Sequence, residues 1–404
     1  MKKIALLILF CCAANGHAQS IYQKDFLFYW QTVKDNFAYF DRQKTNWDEV
    51  KTIYSWKADT IKTKDGFIHF LEKVNNELHN GHVYLNTNRD NSNRLIPSGS
   101  DMKISYKENQ FVITELRENF NAAQCGLSRG MVVIRYNDVP MTMAIQEFLP
   151  MTIHKFDLDS YEYAANMVLA GKHNVKRKIT VLENGVEKDY FPDALPNKTE
   201  ENFKTLLEQK KLPGNIGYIK INNSLGNNAL IKAFDTALDG FMDTSGMILD
   251  LRETAGGGNT TVARAIMGRF AQQERAYQKH IYIGEENETG IRRSTLELVT
   301  PRKNGYGKPL VILVGNWTAS MGEGIAIGLE GMRRGTVIGT KMAGLLGENF
   351  TFETPGLKIP FSFPAAQLQR VNGQPREDFM PSPLVEDPTT IIKVAADQLQ
   401  IKAR

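Results

Sequence analysis

Cysteine is almost missing from this chain, and long apolar runs are missing altogether beyond its first residues. The three cysteines are Cys11, Cys12 and Cys125. The first two lie in a segment where Lys2 and Lys3 precede the apolar run Ile4 to Ala14 and small residues end in Gly16-His17-Ala18, the pattern of a secretory signal peptide. Cleavage after Ala18 is expected, so residues 1–18 form the leader and Cys125 is left alone, which excludes an internal disulfide. No activating setting is visible around Cys125, and packing is its expected role. Leu9-Phe10 ahead of Cys11 lacks the small residue that a lipid-attachment site needs. The apolar run Ile4 to Ala14 is too short to cross a bilayer and no later run reaches that length, so the mature chain is expected without an integral membrane segment, in the periplasm or outside the cell.

Basic runs are also lacking. The formal charge of +4 falls to about +2 without the two leader lysines, which argues against electrostatic nucleic-acid binding. Metal-ligand spacings are equally scarce. His79 stands three residues before His82, but no further His, Cys or H-E-x-x-H pattern completes a ligand set, so neither a metal nor a cofactor is expected.

What is present is ample material for packed cores. A chain of 404 residues with 42% hydrophobic and 23% charged residues is expected to fold as two or three domains. Helical spacing, as in Phe26-Leu27-Tyr29-Trp30-Val33 and Phe67-Phe70-Leu71-Val74, dominates a helical N-terminal domain over 19–97. It ends at a turn, Asn80-Gly81, just ahead of His82. Residues 98–194 read as mostly β, with strands at Met102 to Tyr106, Phe111 to Leu116, Met131 to Asn137 and Lys178 to Leu182. From 200 to 404 strands alternate with helices. Ile216 to Ile221, Gly246 to Leu251, the almost wholly apolar Pro309 to Val314, and Gly335 to Gly339 are the strands; Ala229 to Phe241, Thr261 to Phe270 and Ser320 to Met332 are the helices. The proline-bearing stretch from Pro360 to Pro383 reads as a polar tail before a last helix, Thr389 to Leu399.

Three motifs sit where layered α/β enzymes build sites, at strand ends and helix starts. Thr318-Ala319-Ser320-Met321-Gly322-Glu323 follows the buried strand. A serine there exposes its hydroxyl beside backbone N–H groups that favour negative charge; it also reads as a plain capping box of Ser320 with Glu323. Asp250-Leu251-Arg252-Glu253-Thr254 leads into Gly256-Gly257-Gly258, whose backbone can approach a substrate closely or simply turn. Gly81-His82 offers an imidazole that titrates near neutral pH, or a structural histidine.

Two resemblances organise these pieces. Ala122-Ala123 through Gly126-Leu127 to Gly130 and the apolar strand after it resemble the PDZ signature, which implies capture of polypeptide chain ends by strand addition. In order and surroundings, the Gly-His, the Asp-Leu-Arg with its glycine run and the Thr-Ala-Ser-x-x-Glu resemble the C-terminal-processing and tricorn-type serine peptidases, family forty-one of the serine peptidases. That likeness implies an α/β multidomain fold with a PDZ-like β domain and a crotonase-like α/β catalytic domain. It implies an endopeptidase with polypeptide substrates, Ser320 as nucleophile, and the N–H groups of Gly257 and Met321 as oxyanion donors. The tricorn-like branch further implies His82 as base and Glu377, or its neighbour Asp378, as the third group. A lysine that another branch places after Gly344 is replaced by Leu345, Thr254 stands where Asn is usual, and Asn80 where Asp often precedes the Gly-His. A catalytically silent binding protein on the same fold, and an acyl-CoA enzyme of the crotonase type, are the rival readings.

Overall fold

The computed structural model describes residues 19–196 and 203–403; the expected leader lies outside them. Ser20, Asn46 and Thr63 each accept a backbone N–H from three residues on and so start helices α1 (Ile21–Asn36), α2 (Trp47–Thr60) and α3 (Lys64–Asn75). Phe26, Trp30, Tyr54, Phe67 and Leu71 bring their apolar faces together. The same core holds Ile359, Phe361, Phe363 and Ala365. The segment read as a helical domain therefore closes its core only with a strand from the far end of the chain. After α3, the short strand β1 (Tyr84–Leu85) carries the chain past His82.

Next comes a six-stranded antiparallel sheet. Its strands are β2 (Met102–Lys107), β3 (Gln110–Leu116), β4 (Val132–Tyr136), β5 (Val139–Pro140), β6 (Ile179–Glu183) and β7 (Val186–Tyr190), in the order β2-β3-β4-β6-β7 with β5 on β4. Within the stretch expected to be mostly β, residues 158–170 instead form helix α4 (Leu158–Ala170). Asp157 caps it, and its buried Ala164, Ala165 and Val168 pack on the sheet.

The second sheet has β8 (Leu207–Leu212), β9 (Ile216–Ile221), β10 (Gly246–Asp250) and, beyond β11 (Arg275–Tyr282) and β12 (Arg293–Val299), β13 (Leu310–Val314) and β14 (Thr336–Gly339). The order is β14-β13-β10-β9-β8, parallel except for the antiparallel edge β8. Successive side chains of a strand face opposite ways. Leu310, Ile312 and Val314 thus join the core under α5 (Ala229–Asp239), α6 (Thr260–Gly268) and α7 (Met321–Gly331), while Val311 and Leu313 meet α8 (Ile391–Ala403) on the other face. Burial on both faces explains the continuous apolar run.

The third sheet corrects the reading of a polar tail. Pro360–Gln369 is strand β16, ten residues long, with Phe361, Phe363, Ala366 and Leu368 buried. It pairs with β15 (Glu348–Glu353), with β1 and with β11. Pro360 occupies its first position, where the missing N–H costs no ladder bond. Through β1, β11 and β16 this sheet sets strands from the first, third and last quarters of the chain side by side.

Candidate active site

Strands β10 and β13 end side by side, and two buried threonines tie the loops beyond them. The hydroxyls of Thr254 and Thr318 both donate to the Leu251 carbonyl, at 2.8 and 2.9 Å, and the Thr254 N–H donates to the Trp317 carbonyl at 3.0 Å. Thr254 is therefore a packing element of the turn. A side chain on Gly322 would run into its hydroxyl.

Past this tie the chain makes a sharp bend at Ser320, with φ 53° and ψ −109°, directly before α7. A non-glycine residue at positive φ is costly and persists only where its surroundings hold it. Glu323 supplies part of that hold. Its carboxylate accepts the Ser320 N–H at 2.7 Å and the Gly344 N–H at 2.9 Å. Burial pushes its pKa up to about 7, against the opposing pull of Arg376 and the two N–H groups.

Gly257 sits against this bend. Its φ is +64°, and a Cβ there would lie 2.7 Å from Ser320 Cβ and 3.0 Å from Oγ, so both conformation and space demand glycine. Its N–H donates to the Thr254 carbonyl at 3.1 Å, closing a turn. Serving as an oxyanion donor requires that bond to open. Met321, at the first position of α7, uses its N–H in no hydrogen bond among the described residues, as expected at a helix start.

His82 arrives from the N-terminal segment. Gly81 lets the chain pass the Ile96 carbonyl, which a Cβ would approach to 2.2 Å. Asn80 accepts the His82 N–H at 2.9 Å, a turn role that Asn and Asp fill alike. The imidazole Nδ1 lies 2.6 Å from the Leu346 carbonyl. A carbonyl only accepts, so Nδ1 carries the proton and Nε2 is the basic nitrogen. Burial, and then the Arg376 guanidinium, push the pKa down to about 4 against backbone contacts at Leu346 and Gly347. The ring is thus neutral at neutral pH. Ser320 and His82 line one cavity of about 520 Å³, although no hydrogen bond joins them.

Glu377 lies elsewhere. One carboxylate oxygen pairs with Arg42 at 2.5 Å, the other is buried without a partner, and the residue lines a neighbouring cavity of about 430 Å³. The two cavities share Gly81, Ile96, Pro97 and Leu345 as walls. Asp378 also pairs with Arg42, but its side chain is 51% exposed against 6% for Glu377. Between Glu377 and the serine stands Arg376, buried, donating to the carbonyls of Ser320 and Leu345 at 3.4 and 2.9 Å. Sequence reasoning missed Arg376, and it missed Gln278, His280 and Glu348, which line the Ser320 cavity as well. The available signal was the alternation of 278 and 280 along β11, a strand without a motif. His79, the other histidine near the turn, packs edge-on against Tyr163 with its pKa pushed down to about 4 by burial.

The model for peptidase family S41 matches residues 215–375, and that for the tricorn protease C1 domain matches residues 20–75. Among solved structures, mature CPAF complexed with lactacystin is similar over 95% of this chain and 97% of its own, at 12% identity and a TM-score of 0.61. The photosystem II D1 C-terminal processing protease is similar over 93% and 97%, at 14% identity and a TM-score of 0.56. A lipoprotein from Streptococcus agalactiae is similar over 99% of both chains, at 12% identity and a TM-score of 0.50. At these identities the likeness to solved structures is one of fold. The family matches add the class: this is a serine peptidase. The chain belongs to peptidase family S41.

Proposed function

We propose that this peptidase cleaves internal bonds of exported polypeptides through an acyl-enzyme on Ser320. The observation that carries the proposal is the bend at Ser320, held at φ 53°, in one cavity with a neutral imidazole whose Nε2 is the basic nitrogen. In the proposed mechanism, Nε2 of His82 takes the Ser320 proton and Oγ attacks the peptide carbonyl. His82 then returns the proton to the leaving amine, and water hydrolyses the ester by the same route. The oxyanion is received by the Met321 N–H, joined by that of Gly257 once its turn with Thr254 opens. Glu377, paired with Arg42, tunes the site as its third group. The hydroxyl and imidazole must approach each other for this, a tightening that substrate commonly brings.

The parallel-sheet unit is read as crotonase-like and the six-stranded unit as PDZ-like. Export rests on the leader pattern of residues 1–18. Capture of chain ends at the edge strand β2 faces an occupant already in place. Asn166 on α4 bonds both the N–H and the carbonyl of Ile104, at 3.0 and 2.9 Å, and Glu162 accepts the Tyr106 N–H at 3.1 Å. A peptide adding there must displace these side chains.

The missing Ser320–His82 bond and the engaged Gly257 N–H favour one second reading, a catalytically silent binding protein. A fluorophosphonate probe separates the two. The expected result is labelling of the wild type, loss of labelling in Ser320→Ala and in His82→Ala, and retention in His79→Ala. An unlabelled wild type that also leaves casein intact would establish the silent reading.

A further inference from the structure

We propose that Gln278, His280 and Glu348 form a specificity floor in the Ser320 cavity. They would select substrates whose residue on the acyl side of the scissile bond carries a hydrogen-bond-donating side chain. The inference rests on the peptidase reading and deepens it by naming a substrate class.

Residues 278 and 280 lie two apart on β11 and so face the same side of the sheet. Both are buried, at 1% and 4% exposure, and both line the cavity with Ser320. Glu348, at the start of β15, has a side chain 38% exposed and lines the same cavity. The polarity of this row follows from its fixed end. The Glu348 carboxylate only accepts, and it lies 2.7 Å from His280 Nδ1, so that nitrogen carries the proton. The other ring nitrogen, Nε2, lies 3.0 Å from the Gln278 amide nitrogen; an amide nitrogen only donates, so Nε2 accepts from it. The amide is thereby oriented with its oxygen left over. That oxygen, Gln278 Oε1, is buried and has no hydrogen-bond partner.

A buried, unpartnered acceptor at the end of a row of carboxylate, imidazole and amide is uncommon in folded proteins and calls for a partner. Its location names the partner. The position of a Cβ on Gly324 lies 3.6 Å from Gln278 Oε1 and 3.3 Å from Met321 Sδ, which places the acceptor against the first turn of α7. The nucleophile opens that turn. The unbranched Met321 side chain beside the acceptor is the piece that yields to an incoming group. A substrate side chain with an N–H or O–H, directed past Ser320, satisfies Gln278 Oε1. An apolar side chain of equal length leaves it buried and unpaired, and a site built to hydrogen-bond discriminates against such an analogue far more strongly than a greasy pocket discriminates by size.

The test uses two fluorogenic peptides that differ only by Gln or Met on the acyl side of the cleaved bond, residues of matched length. For the wild type, kcat/KM is expected to be at least about tenfold higher for the Gln peptide. In Gln278→Met the ratio is expected to fall to about threefold or less, through loss on the Gln peptide with the Met peptide cleaved at least as well. Gln278→Glu keeps an acceptor oxygen and is expected to retain a preference for donors, moved toward a Lys peptide. A wild-type ratio near one overturns the proposal without any variant, as does a ratio that Gln278→Met leaves unchanged. If the wild type cleaves neither peptide nor casein beyond the Ser320→Ala background, the peptidase reading itself fails and this inference falls with it.

Discussion

Burial decides the protonation of His82 before any substrate arrives. Its pKa moves from the ordinary 6.5 down to about 4, while that of Glu323 moves from 4.5 up to about 7. In the proposed mechanism only the histidine's neutral form serves as base, so the acid limb of kcat/KM on a fluorogenic peptide is expected near pH 4; a limb near pH 6.5 would remove His82 from that role. Stability follows different signs. Between about pH 6.5 and 4 the unfolded chain binds the histidine proton more readily, so that contribution is lost as pH falls. The folded chain holds the Glu323 proton between about pH 4.5 and 7, so that contribution is lost as pH rises. The two oppose each other over the same window. Glu323→Gln is therefore expected to make Tm fall more steeply on acidification than in the wild type. At this scale the sequence is legible where backbone constraint and chemistry coincide, as at Gly81-His82, Gly257 and Ser320. Arg376, Gln278 and His280 are polar residues at ordinary strand and loop positions, and only the packing that buries them reveals them.

Among the elements, the apolar strands β9, β10 and β13 were readable because burial on both faces leaves no polar alternation to interpret. Strand β16 was not, because Pro360 and Pro364 imitate a loop. In the structure Pro360 opens the strand, and the carbonyl of Pro364 accepts the Ala38 N–H at 2.9 Å. The helical segment was likewise legible as helix, but not as half of a core whose other half lies nearly three hundred residues away. Phe361 is the test of that shared core. Its ring sits 4.9 Å from that of Tyr29 and 6.1 Å from that of Phe363. Phe361→Ala is expected to destabilise the protein by about 3–5 kcal/mol in urea unfolding, the usual cost of emptying a buried aromatic site. Phe350→Ala, on the exposed part of neighbouring β15, is expected to change stability by about 0.5 kcal/mol or less. Equal effects from the two would mean that α1 to α3 do not depend on the strand.

For the whole molecule, the cavity is where separately packed cores meet, so the loops that form it are held from outside as well as from within. The six-stranded unit reaches both. Arg117, just after β3, forms a 2.8 Å ion pair with Glu253, whose loop leads to the glycine run; the Trp317 indole, on the loop leading to Ser320, donates to the Ser100 carbonyl at 2.9 Å. Arg117 is nearly inaccessible and its guanidinium also lies 4.1 Å from the centre of the Phe120 ring. Burial raises the Glu253 pKa, with Arg117 opposing. Such a pair gives little net stability over an apolar pair, yet removing one partner strands a buried charge. Arg117→Ala and Glu253→Ala are each expected to cost about 3–5 kcal/mol in urea unfolding, and the double variant distinctly less than their sum, because it strands neither. Each single variant should also lower kcat/KM, since the glycine loop loses an outer support. Additivity within about 0.5 kcal/mol would show that the two side chains act independently, and that the six-stranded unit does not brace the glycine loop through this pair.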